Sequence, residues 1–223
     1  MPKQEHDELL DRPEVTDAIE LINEATGNYY EYRDVIASSD EDALIVSVNH
    51  FSFGGIGVNL SFVFEGIDEY DAENSLSIQA DFIQKNRSGA ELAFSIAPLE
   101  TIDLDFDKPR KSLKKEKKKI YKYIQKIEGL YFSIENRTDE IMSFVHDCIL
   151  GFFNKSKAKE GTLFEIHVRE NSVDFEVELP NDDFIIAEIN QETGTIYIRK
   201  PDGTKEITLN KKNLNELLKI ISR

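Results

Sequence analysis

The chain has 223 residues and a formal net charge of −16, from 43 Asp and Glu against 27 Lys and Arg. An apolar content of 40%, with 14 Phe and 8 Tyr, excludes a disordered acidic tail and a low-complexity chain. At this length folding buries roughly 70% of the unfolded surface, enough for one large core or two modest ones.

The opening MPKQEHDELLDR is charged and lacks the apolar middle of a secretory signal. No apolar run approaches the roughly 18 residues of a membrane span. A single cysteine, Cys148, forbids an internal disulfide and fits a reducing compartment. Together these predict a cytoplasmic protein with no membrane span.

The first element is a helix over Pro13–Thr26. Proline suits its first turn, Val15, Ala18, Ile19, Ile22 and Ala25 recur at helical spacing, and Gly27 is its stop. Strand-like segments follow at Tyr29–Ile36, Ala43–Phe53, Val58–Ile67 and Ser75–Ile83, with two more at Glu91–Ile96 and Thr101–Phe106. Gly54-Gly55-Ile56-Gly57 reads as a hairpin loop.

Beyond Lys108 the period becomes helical. Leu113, Ile120, Ile124 and Ile127 form a narrow apolar stripe on a lysine-covered helix predicted to end near Gly129. A second helix, Thr138–Phe153, is capped by Asn136 or Thr138 and buries Ile141, Phe144, Val145, Cys148 and Phe152. Five short alternating runs then follow: Leu163–Val168, Val173–Leu179, Phe184–Ile189, Thr195–Arg199 and Glu206–Leu209. Short joints rich in turn formers make them an antiparallel meander. Asn210 caps a last helix, Lys211–Ile221, which buries Leu214, Leu217, Leu218 and Ile221.

This order predicts an α+β fold: two lobes of antiparallel β-sheet with packing helices, the C-terminal lobe being a β-meander followed by a helix. The expected divisions are an acidic lobe over 1–107, a connecting basic helix and buried helix over 108–160, and the meander with its helix over 161–223.

Charge is unevenly spread along that order. Residues 1–107 hold 24 acidic and 5 basic side chains, a net of −19, whereas Lys108–Lys126 holds ten basic residues and one acid. The leading functional expectation is therefore a non-enzymatic binding protein, of adaptor, chaperone-like or inhibitor type. Its acidic lobe would meet a basic protein partner through Asp40, Glu41, Asp42, Asp68, Glu69 and Asp71. The alternative is a nucleic-acid-binding factor acting through Lys114, Lys115, Lys117, Lys118 and Lys119. The plainer account of those lysines is a solvated helix balancing the acidic half of its own chain. A third alternative is an enzyme whose site is assembled from residues far apart in sequence.

The motifs that suggest chemistry are weak. Asp103-Leu104-Asp105-Phe106-Asp107 resembles a calcium loop only until its sixth position, Lys108, where glycine is needed, and its twelfth, Lys114. The glycines at 54, 55 and 57 precede a strand, whereas a phosphate cradle needs a helix there. Ser143, His146 and Asp147 share a helix face with no oxyanion donors in view, and Cys148 lies in the apolar stripe. His6, His50, His146 and His167 show no metal-ligand spacing. No cofactor or metal is expected.

Overall fold

The computed structural model describes residues 11–40, 43–66, 75–97, 101–105, 108–155, 160–180 and 183–221, and they form an α+β fold. The elements of the first half are α1 (Pro13–Thr26), β1 (Val35–Asp40), β2 (Ala43–Phe53), β3 (Ile56–Glu65), β4 (Ser75–Lys85), β5 (Glu91–Ile96) and β6 (Ile102–Asp103). Those of the second half are α2 (Pro109–Glu135), α3 (Glu140–Lys155), β7 (Leu163–Val168), β8 (Ser172–Glu178), β9 (Phe184–Asn190), β10 (Thr195–Lys200), β11 (Gly203–Thr208) and α4 (Lys211–Ile221). Two compact units result, Met1–Ala80 with Ala97–Glu128 and Asp81–Ile96 with Gly129–Arg223.

In the first unit α1 begins on Pro13 and ends at Gly27, whose φ of 70° lets its N–H reach the Asn23 carbonyl at 3.0 Å. The strand expected over Tyr29–Ile36 forms only from Val35. Asn23 holds both backbone groups of Tyr30, accepting at 2.7 Å and donating at 3.0 Å. Glu31 and Asp34 then cap each other around a 3-10 turn at Tyr32–Asp34. These side chains take the backbone groups that a strand ladder would use.

The unit's strands lie in the order β1-β2-β3-β4, with β6 beside β4, and β1 with β2, β2 with β3 and β4 with β6 pair antiparallel. The β2–β3 hairpin turns on Gly54 and Gly55, at φ of 56° and 87°, values that favour glycine. Val46, Val48, Leu60, Phe62, Phe64, Leu76 and Ile78 of the sheet are buried, as are Val15, Ala18 and Ile22 of α1 and Leu113, Ile120, Ile124 and Ile127 of α2.

The second unit has the strand order β5-β7-β8-β9-β10-β11, with the end of β4 beside β5. Only β5 and β7 pair in parallel; from β7 onward the strands form the expected antiparallel meander. One face of this sheet buries Leu92, Phe94, Ile166, Val168, Val173, Phe175, Val177, Ala187, Ile189, Ile196 and Ile198. Phe144 of α3 meets Phe175 edge-on at 5.1 Å, and Phe152 meets Phe164 at 5.0 Å.

Two helix boundaries differ from expectation. α2 runs through Gly129 to Glu135, because Tyr131 and Ile134 extend its buried stripe and outweigh the roughly 1 kcal/mol that a helical glycine costs. α3 is capped by Asp139, whose carboxylate accepts from the N–H groups of Ile141 and Met142 at 2.9 and 2.8 Å. Of the two expected caps, Asn136 and Thr138, Asn136 instead donates back to the Phe132 carbonyl. α4 begins as predicted, with Asn210 accepting from Asn213 N–H at 3.0 Å and Leu214 and Leu217 buried; Leu218 is half-buried.

Candidate functional site

The basic residues of α2 are sorted by the helical period. Successive positions turn by about 100°, so Lys111, Lys115, Lys118 and Lys122 fall on one ridge opposite the buried Leu113, Ile120 and Ile127. On one flank of that ridge Arg110 meets Asp17 of α1 at 3.3 Å, and Lys117 and the Tyr121 hydroxyl both bind the Glu24 carboxylate. On the other flank Lys119 donates to the Thr101 carbonyl at 3.2 Å.

These contacts leave an electrostatic signature. The Asp17 carboxyl is held above its ordinary range by burial, only partly offset by Arg110. Glu24 is held below its ordinary range by its hydrogen bonds from Lys117 and Tyr121. Of the five lysines named from sequence, Lys117 and Lys119 are thus tied into the first unit. Lys115 pairs with Glu116 at 3.6 Å on its own helix, while Lys114 and Lys118 are exposed. Sequence reasoning missed Lys111 and Lys122, which complete the ridge.

Of the acidic residues named from sequence, Glu41, Asp42, Asp68, Glu69 and Asp71 lie outside the described residues, and Asp40 is described only as the last residue of β1. A described acidic surface with paired like charges lies in the second unit. On the sheet face away from its buried side, cross-strand register sets Glu165 opposite Glu176, and Asp174 opposite Glu188. Glu178 of β8 continues this face opposite Phe184, and Tyr197 is exposed opposite Glu188. Asp174 is bonded to Arg169. Among the described residues no ion pair involves Glu165, Glu176, Glu178 or Glu188. Like charges directly opposite destabilise a sheet, so Glu165 and Glu176 repel each other, whereas Arg169 offsets the charge of Asp174 beside Glu188.

Beside these glutamates a groove of about 330 Å³ is lined by Glu176, Glu178, Asp183, Phe184, Ile186 and Arg199. The Arg199 guanidinium lies over the Phe184 ring, 5.3 Å from its centre. Arg199 is thus a cationic side chain with an apolar stem seated on this aromatic and aliphatic floor, in a groove that carboxylates also line.

A buried network in the first unit also escaped the sequence. The β2–β3 register slips at His50, where Asn49 faces Asn59 but Phe51 faces Val58. The bulge carries the His50 ring, 8% exposed, between Tyr30 Oη at 2.8 Å from Nδ1 and Glu128 Oε1 at 3.0 Å from Nε2. With Nε2–H donated to the carboxylate, Nδ1 accepts from Tyr30. Asn28 Nδ2 stands 3.3 Å from the same nitrogen. Burial raises the Tyr30 phenol above its ordinary range, so it holds its proton as a donor and is no ready nucleophile. The chain of contacts clamps the segment after α1, the bulge and α2 together. The readable signal was the slip of apolar positions from Leu44, Val46 and Val48 to Phe51 and Phe53.

The remaining motifs do not assemble chemistry. Ser143 donates to the Arg137 carbonyl, and Asp147 pairs with Arg137 at 3.4 Å and with His146 at 3.5 Å, so serine and histidine are not joined. Ser95 and His167 do meet, at 2.7 Å, but in mid-strand on β5 and β7, where neighbouring N–H groups belong to the ladder rather than an oxyanion hole. Cys148 is buried, and desolvation drives its thiol far up, away from the thiolate. Ile102 and Leu104 point inward with Asp103 and Asp105 exposed, a strand pattern. Among the described residues no group of three or more His, Cys, Asp or Glu is placed to hold a metal ion. Nor is any helix there long and apolar enough to cross a membrane.

Compared with protein-family models, curated proteins and solved structures, the chain matches none.

Proposed function

We propose that this is a non-enzymatic binding protein that engages a basic protein partner. The observation that carries the reading is the like-charge register on the β7–β9 face, with Glu165 opposite Glu176 and Asp174 opposite Glu188, Glu178 on the same face, and no ion pair to Glu165, Glu176, Glu178 or Glu188 among the described residues. A repulsive array lowers stability, and a cationic partner relieves it on binding. The acidic residues Asp40, Glu41, Asp42, Asp68, Glu69 and Asp71 offer the same chemistry in the first unit and belong to the same reading. A cytoplasmic setting fits the lone free thiol of Cys148.

The test separates binding from folding. A fluorescein-labelled decalysine peptide is titrated at low salt against the wild type, against Glu165→Gln/Glu176→Gln/Glu178→Gln/Glu188→Gln, and against a matched variant neutralised at Asp40, Glu41, Asp42 and Asp68. The sheet-face variant should bind at least about tenfold more weakly yet melt at the same or a higher temperature, because repulsion has been removed. Unchanged binding, or weaker binding accompanied by a lower melting temperature, overturns the assignment to this face.

A further inference from the structure

We propose that the outer ridge of α2 is a docking surface for the phosphodiester backbone of nucleic acid, read without regard to sequence. The structure separates this ridge from the other basic residues of the helix. Arg110 and Lys117 are spent on Asp17 and Glu24, and Lys119 on a backbone carbonyl. Lys111, Lys115, Lys118 and Lys122 are exposed, at spacings of four, three and four residues; Lys115 also meets Glu116 of its own helix at 3.6 Å, and the exposed Lys114 flanks the row. At 1.5 Å of rise per residue they run about 16 Å along the helix, beside about five phosphates of one strand in a duplex.

Three observations select the occupant. The ridge positions from Lys111 to Gln125 present no exposed aromatic or aliphatic side chain, so this stretch has no apolar surface to insert among lipids; the exposed Phe132 lies ten residues beyond Lys122. The cations are all lysine, which contacts phosphate as a point charge and makes no bidentate base contact, so affinity comes without sequence preference. The ridge spaces its charges regularly, four, three and four residues apart, so that each lysine can meet a separate phosphate. The net charge of −16 does not cancel it, because exposed charges beyond a Debye length of roughly 8–10 Å are largely screened.

The assay is fluorescence anisotropy with two labelled 20-base-pair DNA duplexes of unrelated sequence, at 50 and 200 mM salt. Three to four lysine–phosphate contacts predict that affinity falls about 40- to 150-fold between those conditions, equally for both duplexes. Lys111→Gln/Lys115→Gln/Lys118→Gln/Lys122→Gln should lose at least about tenfold at 50 mM and most of the salt dependence. A control of equal charge change, Lys200→Gln/Lys205→Gln/Lys211→Gln/Lys212→Gln, should stay within about twofold. All eight lysines lie outside the buried core, so circular dichroism melting should confirm that both variants fold. No binding at 50 mM, or equal loss in both variants, overturns the proposal. So does ridge-dependent binding to phosphatidylserine vesicles in place of DNA, or ridge-dependent self-association by sedimentation without DNA. Failure here leaves the decalysine result untouched, since that assay reads the other unit's glutamates.

Discussion

Arg110 and Asp17 test whether the basic helix serves the folding of the first unit. The Asp17 side chain is 8% exposed, the Arg110 side chain 61%, and they approach to 3.3 Å. At that distance the gross attraction is about 5 kcal/mol at an effective dielectric of 20 and about 1.3 kcal/mol in water. Arg110 faces solvent, so the value lies toward the lower figure, and loss of the cation should cost about 1–2 kcal/mol. A fully buried pair would cost 3–5 kcal/mol. Removing the carboxylate is different. Burial raises the Asp17 pKa, so the charged form costs stability at neutral pH, and that cost is relieved as pH falls toward the unfolded value. Asp17→Asn should therefore leave stability within about 0.5 kcal/mol, while Arg110→Gln lowers it. The double variant should resemble Asp17→Asn. Urea denaturation followed by far-ultraviolet circular dichroism supplies the cycle, and each kcal/mol moves the melting point of a chain this size by about 2–4 °C. Equal losses in the two single variants with no coupling between them would refute the argument that Arg110 offsets a buried carboxylate.

His50→Ala should destabilise by about 1–3 kcal/mol, because it strands the Tyr30 hydroxyl and the Glu128 carboxylate at the bulge; an unchanged urea midpoint would show that the network is idle. Glu24 contributes in the opposite pH sense to Asp17. Its lowered pKa gives stability that is present at neutral pH and lost as pH falls, so the melting-point gap between wild type and Glu24→Gln should close below about pH 4. Cys148 should resist a disulfide reagent in the native protein and react fully in denaturant, and Cys148→Ser should cost about 1–3 kcal/mol by burying an unpaired hydroxyl.

Local grammar made much of the fold legible. Pro13 and Gly27 bracket α1 within the chain itself, and Asn210 marks the start of α4, because each signal lies within a turn of the structure it sets. The meander was legible because short turns force antiparallel neighbours. The segment after α1 was not, since its backbone is taken by Asn23 from the helix before it. Nor was the length of α2, where Gly129 looks like a stop unless Tyr131 and Ile134 are known to be buried. The site was harder still. Whether a lysine on α2 is free depends on carboxylates of α1 some ninety residues earlier, and which glutamates oppose one another depends on strand register.

Segment charge, by contrast, misleads in a way the structure explains. The part of the chain beyond Lys108 sums to nearly zero, which suggests a bland surface. Yet that sum combines a cationic ridge on α2 with a repulsive acidic face on β7–β9, features on different elements that cannot neutralise each other merely by sharing a segment of sequence. In the most acidic part by count, residues 1–107, the carboxylates of Asp17 and Glu24 are met by cations that sequence arithmetic assigns to the other half. Screening over about 10 Å means that a partner responds to each patch rather than to the total. The net charge of −16 therefore governs how copies of the protein repel one another, whereas the recognition proposed above rests on ridges and strand faces only a few residues wide.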